Sequence, residues 1–350
     1  MDDTTGQGVL QGSSSACPIY ILNSNISLSA CQKTAVGASF AHPISGEITT
    51  DVAVQFVDDT LQFVNALGVS NHSDNPSVSD EELLQTAAHN TQLWANYLWV
   101  SGGNLNLSKC FHYAFCPYYN YKKSTTSYSK LRSGNHQICS LPLDDARRTL
   151  GVVMAPDGSG KTQLRVSNAK AKEFYGKSLN ASMSPKAKWI AITTVIKPAI
   201  LYPLVNTFFK EKDIKAIDSL TSRMNCLALG LNRNFPRAIL HGPTLLGGIK
   251  VPSLSQKNTK DRINYFFYNI RRTSSLSKKF DVSIIYTQIE IGTFQRFFIL
   301  PYAQYRHLAT ISYCVHLWQE LELKGLVLKP ATNVAWYPSL LSSQDISIME

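Results

Sequence analysis

Basic residues are nearly missing from the first hundred positions. Lys33 stands there against ten carboxylates: Asp2, Asp3, Glu47, Asp51, Asp58, Asp59, Asp74, Asp80, Glu81 and Glu82. The rest of the chain holds 33 basic against 14 acidic residues, so the net charge of +10 is not an evenly basic surface. A basic body joined to an acidic patch suits a polyanion held over a cation site, since Lys and Arg neutralise phosphates while carboxylates hold hard metals. Cysteine gives no framework either. The seven cysteines are odd in number and scattered, and no signal peptide precedes them, which excludes a disulfide scaffold and points to a reducing intracellular compartment. Cys110, Cys116, His136 and Cys139 are spaced C-x5-C and H-x2-C, which fits no common zinc knuckle. Internal repeats are missing, and one apolar run, Trp189 to Phe209, is long enough to span a bilayer. Lys197 at its centre and Pro198 and Pro203 after it favour a buried, proline-broken helix pair and no membrane contact.

What is present is a globular composition: 44% apolar in 350 residues, enough for one large or two smaller cores and too much for a disordered tail. A Gly-rich entry leads through serines into an apolar helix ending near Cys31. Residues 50 to 65 alternate with the period of strands and read as a hairpin whose two turn residues are Asp58 and Asp59. Tight hairpins favour Asn-Gly or other Gly-containing pairs, and two carboxylates repel, so this turn breaks local rules in the way functional sites do. Leu67 to Asp80 reads as a loop; Ser79 and Glu82 then form a capping box for a helix with Leu83, Leu84, Ala87, Ala88, Trp94 and Leu98 at helical spacing.

The segment "NLNLSKCFHYAF" reads as a short strand and residues 120–137 as a loop. A strand pair is expected at "RRTLGVVMAPDG" and "TQLRV", followed from Lys170 by mainly helical, basic sequence. In "QKNTKDRINYFFYNIRR" the residues Ile263, Phe266, Phe267 and Ile270 form an apolar face. Lys257, Lys260, Arg262, Arg271 and Arg272 supply a solvated cationic one that could also meet nucleic acid. The tail after Pro330 carries few signals.

Two motifs carry chemistry. Phosphoryl transfer to a nucleic-acid end needs divalent metals bridging the attacking oxygen and the triphosphate, and hence carboxylates on a rigid, exposed turn; Phe56-Val57-Asp58-Asp59 supplies one. "APDGSGKT", Ala155 to Thr162, fits a relaxed phosphate loop, the mark of a P-loop-type NTPase. Its first position is Ala, no convincing buried helix follows, and no apolar strand ending in Asp comes after. A hairpin tip between two strands is the better reading.

The order of the neighbouring blocks changes the weight of the first motif. "GVLQG" (Gly8 to Gly12) stands ahead of a helix, the carboxylate turn follows, then the capped helix, "NLSKC" (Asn106 to Cys110) and "LGV" (Leu150 to Val152). In this order the chain resembles the reverse transcriptases of non-LTR retrotransposons, and "LGLNRNFPRAILHGPTLLGGI" (Leu229 to Ile249) resembles the region after their palm. The resemblance covers about two thirds of the chain. It implies an α+β fold: a partial right-hand polymerase palm over residues 1–168, a basic, mostly α-helical thumb-like region over 169–330, and a tail over 331–350. Gln11, Gly12 and Ser13 would line the template and nucleotide pocket. Asp58 would be the direct metal ligand, with Asp59 supporting it. Lys109 would approach the leaving pyrophosphate, and Leu150, Gly151 and Val152 would grip the primer. The implied cofactor is a pair of Mg²⁺ ions; the implied partners are an RNA template, a DNA primer and deoxynucleoside triphosphates. These enzymes take a further aspartate from a strand ahead of the Gly-Gln-Gly block, so the chain is expected to be inactive unless an upstream polymerase segment supplies it. The alternative is a non-catalytic nucleic-acid-binding remnant.

Overall fold

The computed structural model describes residues 16–56, 59–71, 78–114, 132–133, 136–149, 151–156 and 158–328, and it is α+β and mainly helical. The chain forms two compact units, Met1–Asp145 and Ala146–Glu350.

The first unit opens with helix α1 (Ala16–Thr34), followed by two antiparallel hairpins: β1 (Ala38–Ala41) with β2 (Ile48–Asp51), and β3 (Ala53–Phe56) with β4 (Asp59–Gln62). Then come α2 (Ala66–Ser70), α3 (Asp80–Val100), a 3₁₀ turn at Leu107–Lys109, and short strands β5 (Phe111–His112), β6 (Arg132–Ser133), β7 (His136–Gln137) and β8 (Cys139–Ser140). α1 packs on α3 and β3 and closes a core of Cys31, Ala35, Val52, Ala53 and Trp94. The capping box of α3 forms: Glu82 N–H donates to Ser79 Oγ at 3.2 Å, and Ser79 N–H donates to the Glu82 carboxylate at 2.7 Å. Asn90 is fully buried, where its amide exchanges two hydrogen bonds with the Val36 backbone and ties α3 to the entry of β1.

Leu67 to Ser70, expected in a loop, belong to α2. Asn65 explains this: its Oδ1 accepts from Gly68 N–H and Ser39 N–H while its Nδ2 donates to Ser39 O, which caps the helix and clamps it to β1. The "NLNLSKCFHYAF" strand shrinks to the 3₁₀ turn and two residues of β5. The strands form five separate two-stranded ladders, β5 with β8 being parallel, so a single palm sheet is not formed among the described residues. These strands, two to four residues long, are shorter than the usual five or six.

The second unit holds the hairpin β9 (Arg147–Thr149) and β10 (Val152–Met154). Its helices are α4 (Lys161–Asn180), α5 (Pro185–Ala191), α6 (Lys197–Asn206), α7 (Glu211–Ala228), α8 (Arg237–His241), α9 (Leu254–Ile270), α10 (Ser275–Glu290), α11 (Tyr302–Tyr305) and α12 (Tyr313–Leu323). The boundary expected at residues 168/169 lies inside α4. "TQLRV" is the start of that helix and not a strand: Gln163, Ser167 and Ala171 recur every four residues on its buried face. Gln163 then joins helix to hairpin, accepting from Val153 N–H at 2.7 Å and donating to Ser167 Oγ at 2.9 Å.

The apolar run forms no broken pair. α5 and α6 are joined by a π-helical turn, Ile192–Ile196, in which Lys197 N–H reaches back five residues to Ile192 O. Pro198 has no N–H and its ring crowds the carbonyl four residues before it, and the wider turn absorbs both faults without a break. Pro185–Asn206 is long and apolar enough to cross a membrane by length and composition. One side packs Ile192, Ile196, Ile200 and Leu204 against Ile217, Met224 and Leu254; Ile190, Val195 and Tyr202 stay exposed.

A second core in this unit is aromatic, built on Phe266 of α9, Phe280 of α10, Phe297 and Phe298 of a 3₁₀ turn (Phe297–Ile299) and Trp318 of α12. Arg262, expected on the solvated face of α9, is instead 2% exposed. Its guanidinium pairs with Glu320 of α12 at 2.5 Å, donates to Leu204 O and Thr207 O at the end of α6, and lies 4.5 Å from the centre of the Phe208 ring.

Candidate functional site

The ladder β3–β4 pairs Ala53 with Gln62, Val54 with Leu61, Gln55 with Thr60, and Phe56 with Asp59. Asp59 is therefore the first residue of β4 instead of a turn residue. This register corrects the expected one by a single position. It keeps Ala53 in the core with Val52 while Val54 faces out. Asp58 and Val57 lie outside the described residues; Asp59 is exposed beside them. β4 is held from behind, where Gln62 Nε2 donates to Asn90 O of α3. Asp51 ends β2 opposite Ala38, on a different hairpin from Asp59 rather than on one continuous strand with it.

Lys109 closes the 3₁₀ turn, its N–H donating to Asn106 O at 3.0 Å, and is exposed in the same unit. Next to it, burial raises the Cys110 thiol above its ordinary range. Gln11, Gly12 and Ser13 lie outside the described residues, as does Leu150. Gly151 turns the β9–β10 hairpin at φ +82°, a left-handed conformation that glycine adopts without strain. Val152 is 2% exposed and anchors the hairpin in the unit, so of the described members of this trio Gly151 is the exposed one. Arg148, opposite Val153 and exposed, adds a cation to the same hairpin. The Arg-Arg pair one residue ahead of Leu-Gly-Val was the available signal for it.

The phosphate-loop candidate gains one feature and loses another. A strand, β10, does lead through Ala155–Gly160 into the long helix α4, contrary to the expected strand pair. The strand, however, belongs to an antiparallel hairpin. A Cβ on Gly160 would stand 2.9 Å from Phe208 O and 3.0 Å from the Phe209 ring, so this glycine serves close packing against that loop. The parallel ladder β5–β8 sets Phe111 opposite Cys139, bringing the neighbourhoods of Cys110 and Cys139 together, yet among the described residues no three His, Cys, Asp or Glu side chains gather as a metal cluster.

No family model, curated protein or solved structure matches this chain.

Proposed function

We propose that the chain is the palm-and-thumb portion of an RNA-directed DNA polymerase of the non-LTR retroelement kind, working inside the cell on an RNA template and a DNA primer. The observation that carries this is Asp59, exposed at the start of β4 and next to Asp58 in sequence, on a hairpin that packs on α1 and is tied to α3, followed along the chain by the Lys109 turn and the Gly151 hairpin. Asp58 and Asp59 are hard oxygen donors of the type that Mg²⁺ takes, on a short hairpin open to solvent at Asp59. Mg²⁺ bound there would neutralise the triphosphate and polarise the primer hydroxyl. Lys109 would give a proton to the departing pyrophosphate.

Asp58 and Asp59 supply two carboxylates, fewer than two metal ions need. The first reading needs a strand from elsewhere to complete the cage; the second reading is a nucleic-acid-binding module without catalysis. Primer extension on an RNA template separates them. The chain joined to the fingers and first palm strand of a reverse transcriptase extends the primer in Mg²⁺, the chain alone does not, and Asp58→Asn in the joined protein abolishes extension while leaving binding intact. Extension that survives Asp58→Asn would refute the assignment. Binding without extension in any form favours the second reading.

A further inference from the structure

The exposed face of α9 follows one line. Lys257, Lys260, Asn264, Tyr268 and Arg271 recur at three- and four-residue steps, with Arg272 flanking, and every one is exposed. At roughly 1.5 Å per residue the line is about 22 Å long. It carries four cations against one carboxylate, Asp261, which pairs with Lys257. The opposite side of the same helix is core, through Phe266 and the buried Arg262. The line is therefore fixed in place by packing. Its arginines sit over aromatic rings: the Arg272 guanidinium stands 3.9 Å from the centre of the Tyr268 ring, and Arg271 5.6 Å from that of Phe267. Tyr268 remains 58% exposed.

We propose that this face of α9 is a binding surface for single-stranded RNA, the cations meeting phosphates and the Tyr268–Arg272 stack offering a platform to an unpaired base. The proposal deepens the nucleic-acid reading above and rests on it. Charge selects a polyanion, and a flat, half-exposed aromatic capped by a guanidinium selects one with free π-faces, which a single strand has and a duplex or a lipid headgroup lacks.

The test uses the full chain and a fluorescent single-stranded RNA of mixed sequence, followed by anisotropy across a salt series. Each single-strand phosphate contact contributes about 0.7 to the slope of log affinity against log salt. Lys260→Ser, Arg271→Ser and Arg272→Ser together should lower that slope by about 2. Lys172→Ser, Lys186→Ser and Lys212→Ser, an equal charge loss at exposed positions elsewhere, should leave it within about 0.5. Tyr268→Ala should weaken binding about 5- to 100-fold with the slope kept, and Tyr268→Phe should restore it. Equal effects of the two triple variants would overturn the proposal while leaving the polymerase reading standing. So would stripe-dependent binding to anionic vesicles in place of RNA. Absence of any RNA binding by the unaltered chain at low salt would overturn both.

Discussion

Replacing Arg262 by Met removes the most heavily bonded side chain of the second unit and keeps most of its length. In the native structure the guanidinium pairs with Glu320 Oε2 at 2.5 Å, donates from Nε and Nη2 to Leu204 O at 3.2 and 2.7 Å, and reaches Thr207 O. Three segments thus meet on one group: the end of α6, α9 itself and α12. Without it, the Glu320 side chain, 13% exposed, keeps its bond from Thr259 Oγ1 but loses its counter-charge, and the carbonyls at the negative end of α6 lose their donor. Breaking one side of such a buried pair costs about 3–5 kcal/mol. For a urea m-value of about 2 kcal/mol per M, the midpoint of the second unit should fall by about 2 M. Urea melts followed by far-UV circular dichroism and by tryptophan emission measure this, since Trp318 donates to Leu300 O inside the affected core. Arg262→Met with Glu320→Leu should recover part of the loss, because the stranded carboxylate goes as well. A single-variant shift below about 0.5 M, or a double variant no more stable than the single, would refute the account of Arg262 as the pin of this unit.

Three further outcomes are expected. His316 stacks on Phe208 at 4.0 Å, and burial, with Arg262 nearby, lowers its proton affinity below the ordinary 6.5. The unfolded chain therefore takes the proton first. Stability is full above about pH 6.5 and falls as pH drops below it, with a slope of up to about 1.4 kcal/mol per pH unit that His316→Gln should remove. Gly68→Ala would put a Cβ 1.9 Å from Gly37 O and should cost at least about 2 kcal/mol in a thermal melt, whereas Gly176→Ala, in the interior of α4 with nothing within 4 Å, should stabilise by about 0.5–1 kcal/mol. Burial pushes the Cys314 thiol up to about 12, so a thiol reagent at pH 8 should label exposed Cys139 in the native protein and reach Cys314 only after unfolding.

The features that sequence reading found were those written in a few neighbouring residues. Ser79 and Glu82 announce the start of α3 because a capping box is a four-residue device, and the β3–β4 hairpin follows from alternation over a dozen positions. The start of β4 at Asp59 is not written locally, since it depends on which side of β3 meets α1. α4 was obscured because "TQLRVSNAKAK" is mostly polar, and its helix is secured by Gln163 reaching the Val153 backbone and by packing on α7. Arg262 looked like one more surface cation because its partner, Glu320, lies 58 residues away. The parallel meeting of β5 and β8 is likewise a long-range pairing that no local pattern encodes. Of the candidate site, Asp59, Lys109 and Gly151 stand exposed on short turns and strands, and Val152 is committed to packing.

The central claim is that the β3–β4 hairpin binds the divalent metal of RNA-templated synthesis, and iron-directed cleavage tests it in the chain joined to the fingers and first palm strand of a reverse transcriptase. With Fe²⁺ in place of Mg²⁺, primed RNA, a deoxynucleoside triphosphate, hydrogen peroxide as oxidant and ascorbate to recycle the iron, hydroxyl radicals formed at the bound ion should cut the backbone around residues 56–60. Mg²⁺ should compete the cut away, and Asp58→Asn or Asp59→Asn should suppress it. No cleavage at this hairpin, or cleavage unchanged in both variants, would contradict the claim.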